Sequence, residues 1–216
     1  MICVSIAEQN FDKCKSIVRE CSLAEIRLDK CKFSFEQIRD LFSSATARLV
    51  ATYRQEGVGE EERKSALVAA IKSGAAFVDI DTVNDHEFIR NIVDAAKAYE
   101  TRLIISYHNF QRTPDIHELQ TLVERCFAQG AEIAKIACQA NTAADSARLL
   151  SLYDTDLARK GKLLILGMGK PGQITRLAAP LLGAPFMYAS LETGSETAPG
   201  QFDVTSLRKL LDYFAK

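Results

Sequence analysis

Apolar runs of five to seven residues recur along the chain, and each is followed by a segment whose apolar positions fall at helical spacing. ICVSIA (Ile2–Ala7), LAEIRLD (Leu23–Asp29), RLVATYR (Arg48–Arg54), FVDID (Phe77–Asp81), RLIISYH (Arg102–His108), EIAKIAC (Glu132–Cys138), LLILGMG (Leu163–Gly169) and FMYASLE (Phe186–Glu192) read as strands. Their starts lie 21 to 31 residues apart, room for one helix each. GEEERKSALVAAIKSG carries acidic residues in its first turn and ends at Gly74. TPDIHELQTLVERCFAQG has Pro114 near its start and Gly130 at its end. SFEQIRDLF, DHEFIRNIVDAAKAY, NTAADSARLLSLYDTDLARKG and FDVTSLRKLLDYFAK read as helices too. Eight βα units in succession, without linker or sequence repeat, predict an α/β fold. The expected form is a single-domain (β/α)8 TIM barrel over residues 1–216, at the small end of that class. An open doubly wound sheet is the rival, but no G-x-G-x-x-G follows the first strand.

Strand parity then sorts the polar residues. A barrel strand presents one face to the helices and the other to the interior. Ala24, Ile26 and Leu28 alternate with Glu25, Arg27 and Asp29; Val78 and Ile80 alternate with Asp79 and Asp81. Leu49, Ala51 and Tyr53 alternate with Val50, Thr52 and Arg54; Leu103, Ile105 and Tyr107 with Ile104, Ser106 and His108. In AEIAKIACQA, Ala134, Ile136 and Cys138 alternate with Ile133, Lys135 and Ala137. The inward rows therefore carry Glu25, Arg27, Asp29, Arg54, Asp79, Asp81, His108 and Lys135, several at carboxyl ends of strands, where barrel active sites lie. Any one of these is open to reading as a core ion pair. The whole set is not, because buried ion pairs are a poor route to stability. Four carboxylates against three cations describe a site for a hydroxylated, anionic small molecule. They do not describe a metal site, since the cations would compete for the carboxylates.

Composition narrows the partners. Of 216 residues 47% are hydrophobic and 25% charged, with a net charge of -1, so no basic surface points to nucleic acid or membrane. MICVSIAEQNFDK does not read as a signal peptide, and Leu177–Leu191 is broken by Pro180 and Pro185. The six cysteines show neither C-x-x-C nor zinc-like spacing, and read as thiols of a reducing cytoplasm, with no metal or cofactor expected.

Lys135 and His108 fall on adjacent inward rows. A lysine is a nucleophile only when neutral, a form favoured by desolvation and neighbouring cations, and it then makes an imine with a carbonyl substrate. Histidine moves protons near neutrality, and Asp81 is placed to orient the His108 ring. His86 and His117 fall in helical segments and read as surface residues. The residues thus describe a Schiff-base enzyme acting on a polar carbonyl compound, by aldol cleavage or dehydration.

EIRLD (Glu25–Asp29), ATYR (Ala51–Arg54), VDID (Val78–Asp81), SYHNF (Ser106–Phe110), AKIA (Ala134–Ala137), GMGKPGQITR (Gly167–Arg176) and APGQF (Ala198–Phe202) together resemble type I 3-dehydroquinate dehydratases. Each string is weak alone; the ordered set is specific and spans nearly the whole chain. The resemblance implies dehydration of 3-dehydroquinate to 3-dehydroshikimate, without cofactor. It implies that Lys135 forms the imine at the C3 ketone and that His108 takes the C2 proton, protonates the leaving C1 hydroxyl and helps hydrolyse the product imine. It assigns the substrate carboxylate to Arg176 and Gln201, the ring hydroxyls to Glu25, Arg27 and Arg54, and an apolar contact to Met168. Ser5 and Thr197 join the binding set, and Leu191–Gln201 matches a lid. A homodimer is suggested by related proteins only. Two positions depart from the family: Asp81 stands where glutamate is usual, and Thr197 where serine precedes A-P-G-Q. Two other readings remain at this stage. One is a class I aldolase-like lyase on a phosphosugar, drawing on GMGKPG at a helix N-terminus; the other is a non-catalytic ligand-binding barrel.

Overall fold

The structure is a computed structural model that describes residues 1–55 and 59–214, and the backbone alone at 158 and 159. The chain divides into two compact units, Ser5–Ile104 and Met1–Val4 with Ile105–Lys216. The first holds the last two residues of β1 (Ile2–Ile6), then α1 (Phe11–Arg19), β2 (Leu23–Arg27), α2 (Leu28–Cys31), α3 (Phe35–Ser44), β3 (Arg48–Thr52), α4 (Glu60–Lys72), β4 (Phe77–Asp81) and α5 (His86–Ala98). β5 (Arg102–Asn109) leads into the second. That unit continues with α6 (Ile116–Ala128), β6 (Ile133–Gln139), α7 (Ala143–Ser151), α8 (Asp156–Arg159), β7 (Leu163–Met168), α9 (Gly169–Leu181), β8 (Met187–Ser190) and α10 (Val204–Phe214). In hydrogen-bonded order the strands run β7-β6-β5-β4-β3-β2-β1-β8.

Helix starts are written in the sequence. Asn10 caps α1 by accepting from Lys13 N at 3.0 Å, and Ser34 with Gln37 makes a capping box on α3. Asp85, Asp115 and Thr142 cap α5, α6 and α7. α4 starts at Gly59 without a side-chain cap; Glu60, Glu61 and Glu62 complement its dipole instead.

In the Ser5–Ile104 unit, β2, β3 and β4 pair in parallel, with Glu25 opposite Val50 and Thr52 opposite Asp79. Ala24, Ile26, Leu49, Ala51, Val78 and Ile80, the rows expected to face helices, are buried at 0–2% exposure. In the other unit, β6 and β7 pair in parallel, with Lys135 opposite Leu164 and Gln139 opposite Met168.

Three expectations need correction. Strand two ends at Arg27, and Asp29 lies in the short helix α2 rather than on the inward strand row. Strand three ends at Thr52, so Arg54 sits two residues beyond it. NTAADSARLLSLYDTDLARKG is two helices rather than one. Tyr153, 7% exposed, turns inward, and its hydroxyl accepts from Ile165 N at 3.0 Å and reaches Leu163 O at 3.4 Å. A ring buried between α7 and α8 pins the chain to β7 and breaks the helix there. The helix expected over FDVTSLRKLLDYFAK is α10; its last two positions, 215 and 216, lie outside the described residues.

Candidate active site

Within the Ser5–Ile104 unit, the inward rows make a graded polar set. Glu25, 4% exposed, accepts from Ser5 Oγ at 2.8 Å and from Thr52 Oγ1 at 2.9 Å. Two neutral donors fix both its oxygens. Arg27 forks onto Asp29, Nε to Oδ1 at 3.0 Å and Nη2 to Oδ2 at 2.7 Å. Burial lowers the Arg27 pKa, but the Asp29 hydrogen bond and the Glu25 and Asp29 charges outweigh it and raise it overall. Arg54 Nη2 donates to Asp79 Oδ2 at 2.9 Å, and Asp79 is fully buried. Burial again works against the Arg54 charge, and Asp79, Asp81 and Glu25 overcome it, so its pKa is raised. Both arginines are thus held cationic and in fixed geometry.

Asp81 ends β4, half-buried. Its Oδ1 accepts from Val83 N at 3.3 Å, and its carbonyl accepts from Asn84 N at 3.2 Å and Asn84 Nδ2 at 2.8 Å. Arg63 of α4 donates from Nη1 to Asn84 Oδ1 at 2.7 Å and stacks on Phe88 at 4.2 Å from the ring centroid. It is 1% exposed, and its Nε and Nη2 have no hydrogen-bond partner among the described residues. Burial lowers its pKa against the opposing charges of Glu60 and Asp81, and Arg54 adds repulsion. A buried cation on α4 thereby clamps the turn that carries Asp81. Thr52, Arg63 and Asn84 were missed in the sequence; inward parity alone marks Thr52.

In the second unit, Lys135 is 5% exposed in mid β6, its Nζ 4.3 Å from the centroid of the Tyr188 ring. His108, half-buried near the end of β5, stacks on Phe110 with centroids 6.2 Å apart and planes 14° from parallel. Met168, 2% exposed, ends β7, and its carbonyl accepts from Ala140 N at 3.0 Å. Gly169 follows at φ +77° and opens α9.

Arg176 projects from α9 and is 2% exposed. Its Nη2 reaches Pro199 O at 3.4 Å, and its Nε is buried without a hydrogen-bond partner among the described residues. Desolvation pulls its pKa down to about 10, and among the described residues no carboxylate opposes it. Pro199 O also accepts from Gly169 N at 3.2 Å, tying the Leu191–Gln201 segment to the start of α9. That bond occupies one of the helix N–H groups on which the phosphosugar reading relied. Gly200, at φ +77°, lies so close to Gly169 that a Cβ would sit 2.7 Å from its carbonyl oxygen. Gln201, 6% exposed, accepts through Oε1 from Thr197 N at 2.9 Å and from Thr197 Oγ1 at 3.2 Å. The hydroxyl that Thr197 shares with serine is therefore in use, on the side chain expected at the substrate carboxylate.

His86 and His117 are exposed on helices, as expected. No disulfide joins the six cysteines. Among the described residues no helix is long and apolar enough to cross a membrane. Also among them, no cluster of His, Cys, Asp or Glu is placed to hold a metal ion.

Solved structures define the class of fold. The chain superposes on 3-dehydroquinate dehydratase from Geobacillus kaustophilus with a TM-score of 0.87 at 24% identity, covering 99% of this chain and 90% of that one. For the enzyme from Aquifex aeolicus the TM-score is 0.83 at 26% identity, with 100% and 99% covered. This is the α/β, (β/α)8 TIM-barrel class. The sequence matches the type I 3-dehydroquinase family over residues 2–216. It is 33% identical to 3-dehydroquinate dehydratase of Methanococcus maripaludis, over 98% of each chain. The chain belongs to the type I 3-dehydroquinase family and is a hydro-lyase of the shikimate pathway.

Proposed function

We propose that the enzyme dehydrates 3-dehydroquinate to 3-dehydroshikimate through an imine on Lys135, with His108 as general acid and base. The observation that carries this reading is Lys135 itself, an amine buried to 5% exposure on β6 of a chain matched end to end by the family. The neutral amine adds to the C3 ketone, and water leaves to give an iminium. His108 takes the C2 proton, and the electron pair becomes an enamine. The enamine expels the C1 hydroxyl, which leaves as water with the proton His108 returns. Water then hydrolyses the conjugated iminium and restores the lysine.

Binding roles follow from the same reading. Arg176, with its lowered pKa and unpartnered Nε, supports a role as carboxylate receptor, beside Gln201 and Thr197. Glu25, poised by Ser5 and Thr52, and the cations of Arg27 and Arg54 serve the ring hydroxyls. Met168 gives an apolar wall, and Leu191–Gln201 closes over the substrate and keeps water out. One catalytic domain over residues 1–216, a homodimer and a cytoplasmic location belong to this proposal. Purified protein with 3-dehydroquinate should give rising enone absorbance, and borohydride added during turnover should reduce the imine to a stable adduct on Lys135. Product formation with no adduct, or with label on another residue, refutes the imine.

Arg176→Met separates binding from folding. A carboxylate hydrogen-bonded to a cation contributes about 1.5–3 kcal/mol, so KM should rise about 10- to 150-fold. The folded pKa of about 10 lies below the ordinary arginine value of 12.5, so burial disfavours the charged form. This penalty is constant below that pH and is relieved only as pH rises through it. The variant should therefore match or exceed the parent in Tm throughout the neutral range. A lower Tm with unchanged KM would assign Arg176 to structure.

A further inference from the structure

We propose that Tyr188 is a further catalytic residue, whose ring face holds the Lys135 cation and then stabilises the iminium formed from it. The proposal rests on the imine reading above. Lys135 Nζ stands 4.3 Å from the ring centroid, within the range of a cation over an aromatic face. The lysine is 5% exposed and the tyrosine 4%, so solvent screens the pair little. The ring is also braced. Phe186 meets it edge-on, with centroids 5.5 Å apart and planes at 75°. β8 is pinned at both ends, by Met187 N to Met1 O at 3.1 Å and by Ser190 N to Phe202 O at 2.9 Å. The ring therefore cannot drift from the amine without moving the strand.

This position matters for the chemistry because charge on that nitrogen changes along the path. The ammonium and the iminium are cations; the neutral amine, the carbinolamine and the enamine are not. The negative face of an aromatic ring favours the two cationic species and leaves the neutral ones nearly unaffected. Condensation moves the positive charge from resting ammonium to iminium without leaving the ring. The nitrogen thus keeps one electrostatic partner across bond formation, and the iminium is favoured over the neutral carbinolamine and enamine on either side of it. A carboxylate there would do the same for charge but would offer a proton acceptor competing with His108. A ring has no such lone pair at its face.

The test compares Y188F and Y188L with the parent. Phenylalanine keeps the face, so Y188F should stay within about threefold in kcat/KM and in borohydride-trapped adduct at saturating 3-dehydroquinate. Leucine removes the face, and Y188L should lose about threefold to thirtyfold in both. Tm is read for each variant. Should Y188L fail to fold, Y188M is read in its place, being apolar and flexible enough to fill the gap. Rescue by phenylalanine but not by leucine or methionine is the expected pattern. Parent-level adduct in the apolar variant, or equal loss in Y188F, overturns the role of the ring face. Absence of adduct in the parent enzyme refutes the imine reading and this proposal with it.

Discussion

Lys135→Met should abolish turnover while leaving the fold as stable as before or more so. Loss of an essential nucleophile leaves only binding and the surviving acid–base groups, a reduction of about 10^4-fold or more in kcat. Methionine keeps the unbranched stem of the lysine and removes the ammonium from a position only 5% exposed. The thioether then lies on the Tyr188 ring, a favourable contact in its own right. Exchanging buried charged groups for well-packed apolar ones of similar volume is often neutral or stabilising. Each kcal/mol gained would raise Tm by about 2–4 °C in a chain of this length. Calorimetry and the enone assay on one preparation check both halves. Turnover above about one hundredth of the parent rate, from a folded variant, would remove Lys135 from the mechanism.

The alternation of strand and helix was legible because each strand is short and apolar and most helix starts carry an explicit cap. Asn10, Ser34, Asp85, Asp115 and Thr142 all cap as their chemistry dictates. Two errors arose where local pattern and tertiary contact disagree. Asp29 continues the period-two alternation of LAEIRLD, yet α2 begins at Leu28 and ends with Lys32 in the left-handed region. The Asp29 carboxylate still meets Arg27, through a turn rather than along a strand row. Tyr153 breaks what helical periodicity joins, because burying its ring against β7 outweighs the propensity of the residues around it.

Parity picks out the charged residues of the strands but not their neutral partners. Glu25 and Lys135 stand out because a charge in an apolar run is conspicuous. Thr52 lies in the same inward row and donates to Glu25, but a threonine in a strand excites no suspicion. Tyr188 was passed over because an aromatic residue in a strand ordinarily means core. Only its distance to Nζ distinguishes it. Arg63 follows Glu60 by one helical turn, 4.0 Å from it, and its guanidinium is buried on Phe88. Helix period shows which side of α4 is apolar, and Arg63 breaks the pattern on that side. The Thr197–Gln201 contact and the unpartnered Nε of Arg176 depend on how the segment before α10 folds back on α9, which no local pattern encodes.

His108→Ala should separate the two halves of the mechanism. General acid–base catalysis contributes about 10^2- to 10^4-fold, and kcat should fall by that factor. Lys135 remains in place beside Tyr188, so the first condensation survives in this variant. Steps that need His108 are C2 deprotonation, protonation of the leaving hydroxyl and proton transfers during imine hydrolysis. All three follow covalent attachment. Borohydride should therefore still label Lys135, and the adduct should build up while free product forms slowly. Mass spectrometry of the trapped protein, read against the enone rate, checks this. The half-buried imidazole stacks on Phe110, a residue 67% exposed, so its removal opens no sealed core, and Tm serves as the control. A folded H108A that forms no adduct would place His108 before the imine, as the group that deprotonates the amine or protonates the departing carbinolamine. Near-parental turnover would mean that another base takes the C2 proton.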